Sequence, residues 1–366
     1  MTTTTSRRAR WAAVTTAVLG TLIVSACSSN SSSSSSTPSG GSSSSSTSSS
    51  PSGTLNGSGS TFQTNFQQGA ISAFKSVDSG ITVNYGSGGS GKGRTDLAGG
   101  VVNFAGSDSP IPTTEKANFK GKTVLYFPVI IGPITMSYNL SGVSNLKLTP
   151  TVIADIFQGK ITSWNNSAIK AINPGASLPS TPITIAVRAD SSGTTQNFSL
   201  FLMDAAPSVW TLGSSSTIKW PSTAHAAQGN SGVAQVIKTT PGAIGYVDFS
   251  TAKATGLTFA SVKNKAGSYI APSAAAASAS AATATVAPDL TFHAVWGSSA
   301  TAYPITYQSW VLVYAKQPNA NDAAMLKAYL GYLLGDGQQK LPGLFYAPLP
   351  ASIDSMAKAQ LSKITS

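Results

Sequence analysis

The sequence is poor in the residues that most often build cross-linked or metal-bound sites. It has one cysteine, Cys27, and two histidines, His225 and His293. A single cysteine excludes an internal disulfide framework and a zinc site of several cysteines, and two histidines exclude a histidine-rich metal centre. Charge is scarce as well: charged residues are 10% of the chain, against roughly 25% in an average soluble domain. Acids are the rarer sign, 12 Asp and Glu against 23 Lys and Arg, for a formal net charge of +11. Hydrophobic residues nonetheless reach 41%, enough for a core and so enough to exclude disorder throughout. A length of 366 residues points to about two domains.

The N-terminus reads as an address. Residues 1–26 contain no acid, Arg7, Arg8 and Arg10 form a positive start, and a short apolar stretch from Trp11 to Val24 follows. That stretch is too short and too early for a comfortable spanning helix. It closes on Val24-Ser-Ala-Cys27, small residues directly before the lone cysteine, as in a bacterial lipoprotein signal whose cysteine is lipidated. An ordinary secretory signal with a stray cysteine is the plainer alternative. Loss of 1–26 takes three of the 23 basic residues and leaves a net +8. No later segment has the ~18 consecutive apolar residues of a membrane helix, so the expected product is tethered to a membrane surface rather than embedded. Residues 27–53 are almost entirely Ser, Thr, Pro and Gly, a composition that buries no apolar area and predicts a flexible linker.

From Thr54 the pattern alternates between strand-like and helix-like runs. Helices are expected over Phe66 to Phe74, Pro150 to Gln158 with Thr149 as cap, Thr195 to Met203 and Asp322 to Leu334. Strands are expected over Ile81 to Tyr85, Val101 to Ala105, Leu125 to Ile131, Ile134 to Tyr138, Ile183 to Val187 and Trp310 to Tyr314. Residues 86–93 read as a glycine-rich turn. Residues 271–288, rich in Ala, Ser and Thr, carry little information, and no internal repeat is present. The alternation predicts an α/β architecture.

Three loops share one chemical character: Gly57-Ser-Gly-Ser-Thr-Phe62, Gly86-Ser-Gly-Gly-Ser-Gly-Lys-Gly93 and Asp190-Ser-Ser-Gly-Thr194. Each adjoins an expected strand and precedes an expected helix. Small hydroxyl residues there offer O–H donors and leave backbone N–H groups accessible at helix N-termini, a combination that suits a small oxyanion. Any one such loop alone is an ordinary capped turn. Beyond the signal only two arginines remain, Arg94 and Arg188, against eighteen lysines. Arg188 ends a strand directly before the third loop, where its rigid fork fits two oxyanion oxygens and Asp190 is placed to pair with it. Asp108 follows another strand, in Gly106-Ser-Asp-Ser-Pro110. A carboxylate beside an anion makes sense when the ligand carries a proton, because an ionised carboxyl only accepts. It would repel a fully deprotonated oxyanion such as sulfate.

These residues resemble the phosphate-binding proteins of bacterial ABC phosphate importers. The resemblance covers nearly all of 54–366 and is strongest at Gly57 to Phe62, Val83 to Ser90, Phe104 to Pro110, Asp155 to Trp164, Arg188 to Thr194 and Pro241 to Val247. It implies a two-lobe periplasmic binding protein-like (type II) fold, with two crossover strands near Gly132-Pro133 and Ala302-Tyr303 and a ligand cleft between lobes. Lobe one would be 54–132 with 303–366, and lobe two 133–302. It further implies that Thr61 and the backbone N–H of Phe62, together with Ser90, donate to phosphate, that Asp108 accepts its proton, and that Arg188 grips it under the orienting hold of Asp190. Ser192, Gly193 and Thr194 would close the site. Three positions depart from the family pattern: Lys92 where a small residue is usual, Ser191 where Gly is frequent and Ser60 where Ala is frequent.

The expected protein is therefore a lipid-anchored monomer on the extracytoplasmic face of the cell membrane, without cofactor, metal or enzymatic activity, that passes inorganic phosphate to a permease. A surface sensor or adhesin of the same fold without a transport role is the alternative. A P-loop is disfavoured because Gly93 stands where Ser or Thr is required. A serine hydrolase lacks a histidine near Ser191 or Ser192. A phosphatase would call for a metal cluster or a nucleophile–base pair, and the sequence offers neither. No basic–aromatic stripe points to nucleic acid, and the positive balance fits the steering of anions.

Overall fold

Runs of β-branched and aromatic residues, separated by Gly and Ser turns, set up two parallel strand–helix blocks that share one long antiparallel strand. The computed structural model describes residues 50–366; the expected signal segment, Cys27 and most of the serine-rich stretch lie outside the described residues. The first block comprises β1 (Gly53–Gly59), α1 (Thr64–Val77), β2 (Ile81–Ser87), α2 (Ser90–Ala98) and β3 (Phe104–Ser107), with β2 and β3 flanking β1 in parallel. β4 (Val124–Tyr138) follows, then the short β5 (Lys147–Leu148), α3 (Pro150–Phe157) and α4 (Ser167–Ile172). The second block comprises β6 (Thr184–Arg188), α5 (Gly193–Ala205), β7 (His225–Ala227), α6 (Gly229–Thr239), β8 (Ala243–Asp248) and α7 (Phe249–Thr255). β9 (Thr258–Phe259), β10 (Ser261–Lys263), β11 (Tyr269–Ile270), α8 (Ala274–Ala281), β12 (Thr306–Tyr314) and α9 (Ala320–Leu334) follow.

The strand order β2-β1-β3-β12-β4-β8-β6-β7 joins the two blocks, giving the mixed α/β, two-lobe arrangement. β4 is the joint. It pairs antiparallel with β12 over 124–133 and with β8 over 134–138. The exchange falls at Pro133, which has no N–H to give a ladder; Ile134 resumes by donating to the Ile305 carbonyl at 2.7 Å. Parallel strands deliver their carboxyl ends, and the N-termini of the helices that follow, to the crevice where the order reverses. Here those ends are Gly59, Ser107 and Arg188, and the helix starts are Ser90, Gly193 and Gly229. The first block packs Phe66, Phe74, Phe104, Tyr329 and Leu333 into its core, the second Ile153, Phe157, Phe198 and Tyr246, all buried. No helix among the described residues is long and apolar enough to cross a membrane.

Most expected elements form with shifted ends. Thr149 caps α3 by accepting from the Val152 N–H at 3.2 Å. The two strands expected over 125–131 and 134–138 are one continuous strand, because Gly132-Pro133 sits where the pairing partner changes rather than in a turn. The strand expected from Val101 begins at Phe104. Residues 99–101 instead close α2, with Val101 N–H donating to Asp96 O at 2.9 Å and its side chain 70% exposed. The turn expected over 86–93 ends at Gly89, and α2 begins at Ser90. The glycines at 91 and 93 serve close approach inside that helix: a Cβ there would lie 2.2 Å from Ser191 Oγ and 2.7 Å from the Gly59 Cα, respectively.

Candidate binding cleft

The three loops converge. Gly193, the first residue of α5, sits so tightly against the opposite block that a Cβ on it would lie 2.5 Å from Ser90 Oγ and 2.7 Å from Asp108 Oδ2. Asn230, at the start of α6, spans the crevice the other way: its N–H and side-chain amide donate to Thr61 Oγ1 at 3.3 and 3.1 Å. The same amide reaches Thr194 Oγ1 at 3.5 Å, and Thr194 Oγ1 accepts from Arg188 Nη1 at 3.3 Å. Thr61, Ser90, Asp108, Arg188, Asp190, Gly193 and Thr194 therefore share one junction.

Arg188 is held from behind. Its backbone N–H donates to Tyr246 Oη at 3.0 Å, and the Tyr246 ring stacks on Phe198 at 4.5 Å. Burial pushes that phenol up to about 12. Asp190 accepts from Arg188 Nε at 2.7 Å and also from Nη2, while the N–H of Gly229 donates to its Oδ1 at 3.0 Å. Burial pushes the Asp190 carboxyl up, but the Arg188 guanidinium and the Gly229 N–H overcome that and hold it below the usual carboxylate value. A guanidinium has five N–H donors. Asp190 and Thr194 take three, which among the described residues leaves one on Nη1 and one on Nη2 as an open fork.

Asp108 is buried, 1% exposed. Its Oδ1 accepts from Ser60 Oγ and Ser309 Oγ, each at 2.5 Å. Among the described residues its Oδ2 has only a long contact to Ser90 Oγ, at 3.3 Å, and so keeps acceptor capacity. Burial raises the carboxyl, opposed by the hydrogen bonds from Ser309 and Ser60 and by the charge of Arg188. The main chain of Asp108 is pinned as well: Asn197 Nδ2 of α5 donates to its carbonyl at 2.7 Å, a bond that ties the two blocks together.

Ser192 and Phe62 enter differently from the rest. The Ser192 hydroxyl caps α5 by accepting from the Thr195 N–H at 3.1 Å, leaving the N–H groups of Gly193 and Thr194 without intrahelical partners. The Phe62 ring turns into the core, stacked on Tyr307 at 4.0 Å, while its N–H donates to Ser60 Oγ at 3.1 Å. Lys92 points outward into an exposed ion pair with Asp96 at 2.7 Å. Ser191 hydrogen-bonds Ser216 at 2.9 Å. Ser309, Asn230 and Asn197 were not singled out by the sequence. The available signal for Ser309 was a Gln308-Ser309 pair at the head of an otherwise apolar strand.

A family model for the PBP superfamily domain matches residues 44–336. The phosphate-binding protein PstS 3 of Mycobacterium leprae is 36% identical over 312 residues, 82% of this chain and 84% of that protein. The chain belongs to the PstS phosphate-binding proteins of the PBP superfamily. Another PstS protein, from Pasteurella multocida, is 33% identical over 317 residues, 84% of this chain and 89% of that protein. Among solved structures, the phosphate-binding protein of Stenotrophomonas maltophilia overlays with a TM-score of 0.68 at 22% identity, covering 84% of this chain and 94% of that one. That likeness bears on the PstS fold.

Proposed function

We propose that this chain captures inorganic phosphate outside the cytoplasm and delivers it to the permease of an ABC importer. It does so as a monomer anchored through a lipid on Cys27, without covalent chemistry. The relatives named PstS support phosphate as the ligand. The observation that carries the reading is the pairing of opposites at one junction: a buried carboxylate with Oδ2 left to accept, and a guanidinium with two N–H groups left to donate. A ligand that satisfies both must be an oxyanion that still carries a proton, which hydrogenphosphate is and sulfate is not.

In this reading Arg188 grips two phosphate oxygens, held in line by Asp190. Asp108 accepts the P–OH proton. The N–H groups of Gly193 and Thr194 and the hydroxyls of Thr61, Ser90, Ser192 and Thr194 complete the shell, while the N–H expected from Phe62 is engaged by Ser60 Oγ instead. The partner exchange of β4 after Pro133 supports drawing lobe one as 54–132 with 303–366, and lobe two as 133–302. Contacts from both lobes favour the closed arrangement over an open one, so binding energy drives closure. Calorimetric titration of the purified protein with phosphate, sulfate and molybdate tests the proposal. Phosphate should bind at least about a hundredfold tighter than sulfate, some 2.8 kcal/mol. Equal binding of the two, or no heat with phosphate, would sink it.

A further inference from the structure

Asp108 is approached from behind by a line of buried side chains outside the proposed phosphate shell. Tyr329 Oη, on α9, donates to Gln67 Oε1 at 2.5 Å. Gln67 Nε2 donates to Gln63 Oε1 at 2.9 Å. Gln63 Nε2 donates to Ser309 Oγ at 2.7 Å, and Ser309 Oγ donates to Asp108 Oδ1 at 2.5 Å. Each of Tyr329, Gln67, Gln63 and Ser309 has 0% exposure.

The direction of every proton in this line is fixed. Gln63 Nε2 also lies 2.8 Å from the Trp310 carbonyl, a group that can only accept. That end of Gln63 is therefore the NH₂ end, and both of its protons are used. Ser309 receives one of them, so its own single proton is what remains to give. Two acceptors lie in reach of that proton: Asp108 Oδ1 at 2.5 Å and the Ser107 carbonyl at 3.3 Å. The shorter, charge-assisted bond wins. With Oδ1 taken by Ser60 and Ser309, the proton-accepting capacity of Asp108 is confined to Oδ2, on the side of Gly193 and Ser90.

We propose that Gln67, Gln63 and Ser309 form a one-way donor relay that keeps Asp108 an ionised acceptor, and that they are positioning residues for the choice of a protonated oxyanion over a fully deprotonated one. The inference rests on the phosphate-binding reading above. Burial alone favours the neutral carboxyl, which can donate to sulfate; donors aimed at Oδ1 favour the charged form. Arg188, Asp248, Tyr85, Tyr307 and Tyr346 also act electrostatically on or with Asp108. All five are left intact by substitutions in the relay, so a change in pH response reports the relay itself.

The test compares wild type with Ser309→Ala, Gln63→Met and Ser309→Thr, titrated calorimetrically with inorganic phosphate and with sulfate from acid to neutral pH. Ser309→Ala and Gln63→Met should each lower the phosphate-over-sulfate preference by about tenfold or more. Both should also move the loss of preference on acidification to higher pH, by roughly one unit. Ser309→Thr, which keeps the hydroxyl, should stay near wild type. A merely structural role would weaken both anions together and leave the ratio and the pH profile unchanged; that result overturns the relay. If Ser309→Ala does not fold, Gln63→Met decides by the same two readouts. Failure of the wild type itself to bind phosphate would overturn the functional reading and the relay with it.

Discussion

The chain has two arginines beyond residue 26, and both are buried against a carboxylate, yet they do opposite work. Arg94 gives Nε and Nη2 to Glu115 at 2.6 and 2.9 Å. Its Nη1 reaches Ser107 at 3.2 Å and Ser109 at 3.1 Å, the residues on either side of Asp108. Four of its five donors are spent inside the protein. Arg188 makes the same fork to Asp190 but among the described residues adds only Thr194, so two donors stay open at the crevice. A buried ion pair by itself is weak evidence of function. The number of donors left over separates the arginine that shapes a loop from the one proposed to hold an anion.

The largest expected effects break this comparison directly. In the proposed reading Arg188→Ala removes two charge-assisted hydrogen bonds to the ligand, each worth about 1.5–3 kcal/mol, so phosphate affinity should fall by about a hundredfold to ten-thousandfold. Arg188→Lys keeps the charge for Asp190 and loses the fork, and should recover only part of it. Arg94→Ala should act the other way round. Breaking that pair should cost about 1.5–3 kcal/mol of stability in denaturant unfolding, because Arg94 is fully buried while the Glu115 left behind keeps solvent contact. Near-normal phosphate affinity in Arg188→Ala, or an unfolding curve unmoved by Arg94→Ala, would show that counting free donors misassigns the pair.

Two smaller effects sharpen the picture at the point where the blocks meet. Gly193→Ala would place a methyl against Ser90 and Asp108. The overpacking should cost about 1–3 kcal/mol, paid by the closed arrangement, so affinity should fall by roughly ten- to a hundredfold while the unfolding midpoint without ligand changes little. A parallel fall in both would mean that Gly193 matters for folding rather than closure. Asp108→Asn turns the open acceptor into a group that can also donate. The phosphate-over-sulfate ratio measured by calorimetry should drop by about tenfold, and unchanged selectivity would remove Asp108 from the discrimination.

Much of this was legible in local chemistry. Strand ends followed by Gly and hydroxyl loops marked Gly57 to Phe62, Arg188 to Thr194 and Asp108, because those segments must present N–H and O–H groups whatever the rest of the chain does. The α/β alternation was visible for the same reason. Long-range facts were not. Ser309 donates to Asp108 across 201 positions, and the engagement of Arg94 by Glu115, Ser107 and Ser109 had no sign in the sequence around it. The glycines at 91 and 93 read as turn formers, yet they are helical and small because Ser191 and Gly59 press on them. A partner brought by the fold, rather than the residue's own preference, decides such positions.

Asp248 extends the comparison to a carboxylate with no arginine. It is fully buried at the end of β8, opposite Ile134 in the register where β4 has just changed partner. Its Oδ1 caps α7 by accepting from the Thr251 N–H at 2.9 Å, and its Oδ2 has no hydrogen-bond partner among the described residues. Burial raises it from the usual carboxylate value to about 6, against the hydrogen bonds from Thr251 and the charge of Arg188. The folded state thus holds this proton more tightly than the unfolded chain. Its contribution to stability is fully present below about pH 4 and is lost as pH rises through about 6. Asp248→Asn keeps the cap and has no such titration. In urea unfolding, the stability difference between variant and wild type should be smallest at pH 4 and grow in favour of Asn by about 1–2 kcal/mol at pH 7. Asp190, whose carboxyl the Arg188 guanidinium holds below the usual value, lacks the feature that produces this trend. A difference that stays flat from pH 4 to 7 would mean that Asp248 is ionised throughout and that something other than an arginine neutralises it.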